Sequence, residues 1–288
     1  MVKLIYNDGC RLGNRLYMYA AGRLLAQKLG MALQSEPLEG FPRTRDVISG
    51  TPESDLVTYG FHLNGADPIP EWPDLEKWTY YPEVCARYGD FTIEHGFVNS
   101  RYFVNDRDLI RSWFWSQPLM EVDPEAVLVN VRLREFTVYG LTLDPSYYTT
   151  VLERMTFKKL YLMTDDPSDP YLNCLSKYNP TLVTGYGPEH FFKALAFKRI
   201  VMSNSTFCWW FTFVSEAKEI YFPMVNGNRC GSWSIGALPS LDLRWDWPEV
   251  TTVYNIPNWP HPCPGLTEEQ RAEALAFGKY SKVLFLGE

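Results

Sequence analysis

Apolar and polar positions change period repeatedly along the chain, and each change marks a boundary between a strand, a helix and the loop that joins them. Val2–Tyr6 is a short β-leaning apolar run that breaks at the turn cluster Asn7-Asp8-Gly9. From Leu16 to Leu29 the apolar residues fall at helical spacing; Ala20, Ala21 and Ala26 favour the helix and Gly30 stops it. The chain is therefore expected to open strand, loop, helix, with Arg11, Gly13 and Asn14 on the loop. Residues 35–85 are rich in Pro, Gly and charge and receive no element. Periodicity returns at Phe91–His95 and again, as a helix, after Asn105.

The second half alternates more clearly. Ala126–Val131 reads as a buried strand, Ser146–Met155 as a helix capped by Ser146, Lys159–Thr164 as a strand and Pro167–Lys177 as a helix. Thr181–Thr184, Pro188–Phe197, Arg199–Met202, Phe207–Ala217 and Glu219–Phe222 continue the pattern. Strands alternating with helices predict an α/β protein with a parallel sheet covered on both faces, whose ligands bind beyond the carboxyl ends of the strands. A boundary near Gln117–Pro124 divides the chain into residues 1–120 and 121–288. Thr267-Glu268-Glu269-Gln270 forms a capping box that opens a tail helix, expected to be free to pack back on the first domain.

Composition narrows the function. The 288 residues are 46% apolar and 21% charged, which excludes disorder and suffices for one large or two ordinary domains. Lys and Arg number 27 against 34 Asp and Glu, and a net charge of −7 opposes a general nucleic-acid binder. No apolar run reaches the length of a membrane span and the start lacks a signal-peptide pattern, so the chain reads as cytoplasmic. The six cysteines are scattered without a CxxC pair and read as reduced thiols; the four histidines are unpaired, so no histidine-built metal centre is expected. The aromatic share of 16%, with 10 Trp, is first a matter of core packing, and a sugar-stacking cleft draws on the same residues.

Candidate chemistry gathers on three loops. Arg11-Leu12-Gly13-Asn14 lies between the first strand and helix, where a glycine admits a close ligand or merely serves a turn, and Asn14 meets a ligand or caps the helix. Arg132 and Arg134 follow the strand Ala126–Val131, where arginines can make bidentate bonds to phosphate. Glu135 and Asp144 nearby are candidate bases, and at least one is expected to pair with these arginines instead. Ser203-Asn204-Ser205-Thr206 follows another strand and precedes an aromatic helix, offering hydroxyls and helix N–H groups to a diphosphate. Asp165-Asp166 and Asp106-Arg107-Asp108 are read as helix-start residues and a chance DxD rather than as metal sites.

Several stretches resemble, in order, the inverting alpha-1,2-fucosyltransferases of glycosyltransferase family 11 and their wider superfamily. RLGNRLYMYA (Arg11–Ala20) resembles the family's GxLGNQxFQYA, HGFVNSRYF (His95–Phe103) its GYFQSxxYF, and NVRLREF (Asn130–Phe136) its HxRxGDY. PSYYTTVLERM (Pro145–Met155) is similar to SxxYYxxAI, LYLMTDD (Leu160–Asp166) to the FSDD strand, and SNSTFCWW (Ser203–Trp210) is nearly identical to SNSTFSWW.

That resemblance implies two Rossmann-like domains facing across a cleft, the GT-B arrangement, with the acceptor on the N-terminal side and a nucleotide-sugar donor on the C-terminal domain. It implies metal-independent, cofactor-free transfer with inversion, most simply of fucose from GDP-fucose to a glycan hydroxyl. Carried over by position, Arg132 holds the donor β-phosphate, Ser205, Thr206 and Phe207 contact the diphosphate, and Arg11, Gly13 and Asn14 approach the transferred sugar. Asn130, Arg134 and Asn204 complete the donor side, and Glu135 is the candidate base. Asn130 stands where the family has histidine, and Arg134-Glu135 where it has Gly-Asp. The aspartate that reads guanine in relatives falls on His190, beside Glu189, so Glu189 takes that role or the donor carries another base. A sugar-binding relative without catalysis is the third reading.

Overall fold

The computed structural model of the chain describes residues 2–6, 10–29, 32–44, 91–93, 100–116, 118–225, 243–256 and 266–287. Its residues form two compact units, Met1–Phe114 and Trp115–Glu288.

In the first unit β1 (Val2–Leu4) is the middle strand of a three-stranded parallel sheet, between β2 (Leu33–Gln34) and β3 (Phe91–Ile93). Helix α1 (Leu12–Leu29) follows β1 and packs so near it that a Cβ on Gly22 would lie 2.5 Å from the Leu4 side chain, so the residue at this crossing has no side chain. The helix starts four residues earlier than its apolar spacing indicates. Gly13 and Asn14 therefore belong to its first turn and not to a loop, Gly13 buried and Asn14 exposed. Helix α2 (Arg107–Phe114) closes the unit, its Phe114 ring 5.8 Å from Tyr19 and from Phe41.

The second unit is a seven-stranded, wholly parallel sheet. Its strands are β4 (Ala126–Val131), β5 (Lys159–Thr164), β6 (Thr181–Leu182), β7 (Arg199–Val201), β8 (Glu219–Val225), β9 (Val250–Ile256) and β10 (Lys282–Phe285). They lie in the order β10-β9-β8-β7-β4-β5-β6. Numbered within the unit, this is 3-2-1-4-5-6 with one further strand, the doubly wound order of Rossmann-type sheets, and the order reverses between β4 and β7. All six residues of β4 are buried, as a strand with neighbours on both sides requires. Val127, Val129 and Val131 pack against Tyr147, Tyr148, Val151 and Leu152 of α4 (Pro145–Glu153), while the two-residue period turns Asn130 to the opposite face.

The predicted strands recur with small changes at their ends, and two starts in the second unit shift for a common reason. Pro145 occupies the first turn of α4, so the cap falls on Asp144, whose carboxylate accepts from Ser146 N at 2.9 Å; Ser146 is not the cap. Pro170 acts alike: the expected helix 167–177 is a 3-10 segment, Pro170–Tyr178, capped by Asp169. The short α3 (Glu135–Val138) precedes α4, and α5 (Pro188–Ala194) follows β6. Helix α6 (Thr206–Val214) is buried from Cys208 onward and carries the aromatic cluster Trp209, Trp210 and Phe213, joined by Trp245. The capping box at Thr267 opens α7 (Glu268–Phe277), with Thr267 Oγ1 accepting from Gln270 N and Gln270 Oε1 from Thr267 N. The tail is held to the second unit: Arg244 lies over Phe277 at 4.2 Å, Asp246 accepts from the N–H groups of Lys279, Tyr280 and Ser281, and β10 pairs with β9. Cys10, Cys174 and Cys208 are free thiols; Cys85, Cys230 and Cys263 lie outside the described residues.

Two tyrosines of α4 hold the carboxyl ends of β4 and β7 and the backbone within β8. Tyr147 Oη donates to Met202 O at 2.9 Å and Tyr221 O at 3.0 Å, and Tyr148 Oη donates to Asn130 O at 3.1 Å. Tyr147→Phe leaves two interior carbonyls without this donor and should lower stability by about 1–2 kcal/mol in urea unfolding with an unchanged denaturant slope. A loss below about 0.5 kcal/mol would show that the hydroxyl does not brace the strand ends.

Candidate functional site

The carboxyl ends of β4 and β7 lie side by side where the strand order reverses, and two of the three loops singled out by sequence leave the sheet there. Asn130, near the end of β4, is 7% exposed. Its Nδ2 donates to Met163 O on β5 at 3.2 Å, and its Oδ1 accepts from Ser203 Oγ beyond β7 at 2.5 Å. Next on that loop, Asn204 donates from Nδ2 to Leu141 O at 2.8 Å, which ties the β7 loop to the β4 loop. Its Oδ1 is buried without a hydrogen-bond partner among the described residues. Ser205 caps α6, accepting from Phe207 N at 3.3 Å. Thr206 and Phe207 are half-buried in the first turn, with the Phe207 ring against Phe191 and Phe211.

Arg132 sits just past β4 between two carboxylates. Its Nη2 pairs with Glu135 Oε1, its Nη1 lies 2.8 Å from Asp165 Oδ2, and its guanidinium is 5.5 Å from the Phe136 ring centre. Glu135 thus takes the arginine-pairing role weighed against general-base work, and Asp144 is engaged as a helix cap. Asp165 Oδ1 accepts from Leu133 N at 2.8 Å, so one carboxylate holds the loop backbone by a hydrogen bond and the arginine by charge. Sequence pointed to Asp165 only as a helix-start residue, though its place at the end of β5, beside β4, was the available signal. Asp166 forms a turn with Ser168, whose hydroxyl and N–H hydrogen bonds hold its carboxyl below the usual range.

Arg134 differs from its neighbours. It is exposed, makes none of these pairings, and has φ 38° and ψ −114°. Phe136 N donates to Leu133 O at 2.8 Å, so Arg134 is the first central residue of a type II′ turn, a position that glycine takes almost alone. The chain supplies its own comparison at Gly187, which leads into α5 with φ 52° and ψ −127° and with Glu189 N donating to Tyr186 O. The same backbone shape carries a glycine there and an arginine at 134.

Glu189 and His190 lie on α5, beyond the edge strand β6, two strands from β4. Glu189 is half exposed and accepts from Lys193 at 2.6 Å, and that hydrogen bond lowers its pKa. His190 is buried and turned inward, its Nε2 donating to Val183 O at 3.0 Å. Arg11, Gly13 and Asn14 belong to the first unit, where Arg11 and Asn14 are exposed at the start of α1. Among the described residues no three His, Cys, Asp or Glu side chains gather as a metal site, and no helix is long and apolar enough to cross a membrane.

No family model matches the chain, and no curated protein matches it. Among solved structures the chain is similar to the crystal structure of NodZ alpha-1,6-fucosyltransferase soaked with GDP-fucose. The likeness has 13% identity and a TM-score of 0.36, over 76% of this chain and 93% of that one.

Two predictions follow from these side chains. Arg134→Gly relieves a strain of about 1–3 kcal/mol and returns about 1 kcal/mol of it as unfolded-state entropy, so a net gain of about 1 kcal/mol is expected in chemical denaturation. Equal or lower stability would mean that the turn tolerates arginine without cost. Burial pushes the pKa of His190 below its ordinary 6.5. The unfolded chain then binds the proton more readily, so this stability is full above pH 6.5 and is lost as pH falls from there through the folded value. Melting curves at pH 7.5 and 5.5 should fall further for the wild type than for His190→Gln; parallel curves would refute the assignment.

Proposed function

We propose that the protein is a nucleotide-sugar-dependent glycosyltransferase of the inverting, metal-independent kind, moving a sugar, most simply fucose from GDP-fucose, to a glycan hydroxyl. One observation carries the reading: at the reversal of a doubly wound sheet, the Arg132–Glu135 loop and the Ser203–Thr206 loop are bound to one another through Asn130 and Asn204. A crevice of this kind is where such sheets bind nucleotides. Arginines on one loop, with serine hydroxyls and helix N–H groups on the other, suit a diphosphate that gains charge as it leaves. The ordered likeness of six sequence stretches to the fucosyltransferase superfamily supports the same chemistry.

In this reading an arginine of the loop after β4, with Ser205 and Thr206, meets the diphosphate, and Arg11 and Asn14 serve the transferred sugar. Glu135 becomes a base only when its pairing with Arg132 opens. Glu189 reads the base by exchanging its bond with Lys193 for the guanine N–H groups.

The test is a melting-temperature screen with GDP and UDP, followed by donor turnover with and without EDTA. Ligand at a hundredfold excess over Kd should stabilise by about 2.7 kcal/mol, GDP more than UDP, and turnover should survive chelation. A larger UDP shift would replace the donor base, and a manganese requirement would replace the metal-free mechanism. Absence of any nucleotide shift would sink the proposal.

A further inference from the structure

We infer that Arg134, held in a glycine-type turn at the carboxyl end of β4, is the residue that engages the anionic part of the nucleotide ligand, while Arg132 is spent on holding the loop. The inference rests on the nucleotide-sugar reading and assigns, within that site, the cation that binds.

Charge makes the first part of the case. Arg132 stands between Glu135 and Asp165, so the three side chains together carry −1 and their geometry is closed on itself. A diphosphate arriving at that trio meets one more negative charge than positive. Arg134 is two residues on and offers a planar, permanently charged fork without an ion pair among the described residues. Its electrostatic influence reaches Asp166 at the end of β5, but Ser168 already satisfies that carboxylate. Arg134 therefore stands exposed just past the carboxyl end of β4, near enough to Asp166 after β5 to act on its charge, and makes no ion pair among the described residues.

Backbone shape makes the second part. A side chain at φ 38°, ψ −114° is strained whatever surrounds it, and Gly187 shows the residue this chain uses when only the turn is needed. Glycine at 134 would sacrifice no packing, since the Arg134 side chain is exposed. Apart from its attraction to Asp166, no hydrogen bond or ion pair of that side chain among the described residues offsets the strain, so the offset lies in a bound state. The turn itself is fixed from outside: Leu133 is fully buried with its N–H held by Asp165, and Leu141 at the loop's far end is held by Asn204. Arg134 is projected from a rigid base, as a recognition residue must be.

The experiment measures nucleotide affinity and melting temperature on the full chain for wild type, Arg134→Gly and Arg134→Lys, with GDP, UDP and the nucleosides guanosine and uridine as probes. Arg134→Gly should melt higher than wild type and yet bind the preferred diphosphate about ten- to a hundredfold more weakly, the worth of a charge-assisted hydrogen bond. Its affinity for the matching nucleoside should not change, and salt should weaken its diphosphate binding less than it weakens that of the wild type. Arg134→Lys keeps the strain and the charge and should fall between the two in affinity at wild-type melting temperature. Wild-type diphosphate affinity in Arg134→Gly, or an equal loss of diphosphate and nucleoside, would overturn the assignment and leave the nucleotide site standing. A wild type that binds neither GDP nor UDP would overturn the nucleotide reading, and the role of Arg134 with it.

Discussion

A single buried carboxamide sets where the loops of the second unit can stand. Asn130 uses its donor on β5 and its acceptor on the loop beyond β7, so three chain segments are registered against one side chain inside the sheet. Each bond nets about 1 kcal/mol, but removing the amide would strand a carbonyl and a hydroxyl in the interior at about 1–3 kcal/mol apiece, so the arrangement is far costlier to break than to keep. The requirement is one donor and one acceptor without a net charge. A neutral side chain with one donor and one acceptor meets it, and a carboxamide supplies both. In this chain the side chain faces its own backbone and a serine, so its first contribution to any ligand is to place Ser203 and the residues after it.

From that anchor, packing and polarity divide the labour. Helix α6 is largely apolar and buried from Cys208 to Val214, and the hydroxyl of its carboxyl-end cap Ser215 is engaged with Thr212 and Ala217, which leaves the amino terminus at Ser205 and Thr206 as its more open polar end. The aromatic residues stack behind it, with Trp209 against Phe213 at 4.5 Å and Trp245 at 5.3 Å, and make the helix a rigid wall that cannot retreat from its loop. Arg132 on the neighbouring loop is held as firmly by charge. Its carboxylate partners are about a fifth exposed, so the pairs are worth less as stability than as geometry: they fix one guanidinium and, through Asp165, the peptide of Leu133.

What could be read from the sequence follows from how local each cause is. The buried strand Ala126–Val131 and the strand Lys159–Thr164 are recovered at their observed ends because continuous apolar runs between turn signals are a local property. Helix starts shifted wherever a proline took the first turn and passed the cap to the preceding aspartate, at Asp144 and Asp169. Strands β9 and β10 escaped notice because Val250–Ile256 mixes threonines into its apolar run, and Lys282–Phe285 is an edge strand whose pairing with β9 is a long-range fact. The candidate loops were legible as positions, strand ends before helices. Their internal wiring was not: that Asp165 reaches back to Leu133 and Arg132 across thirty-odd residues, or that Tyr147 and Tyr148 brace strand ends, depends on sheet order and not on spacing.

The turn after β4 joins these levels. A strained residue persists only where its surroundings allow no alternative, because an unconstrained loop would relax by moving a few torsions. Here the alternatives are closed in sequence order. Val131 and Leu133 are held in the core, Leu133 N is taken by Asp165, Phe136 N closes on Leu133 O, Leu141 N closes on Phe136 O, and Leu141 O accepts from Asn204. To relax Arg134 the chain would have to give up a buried leucine or one of four hydrogen bonds, each costing as much as the strain it would relieve. The conformation at 134 is therefore imposed by the strand and loops around it, and the residue type there is free to answer to something other than the fold.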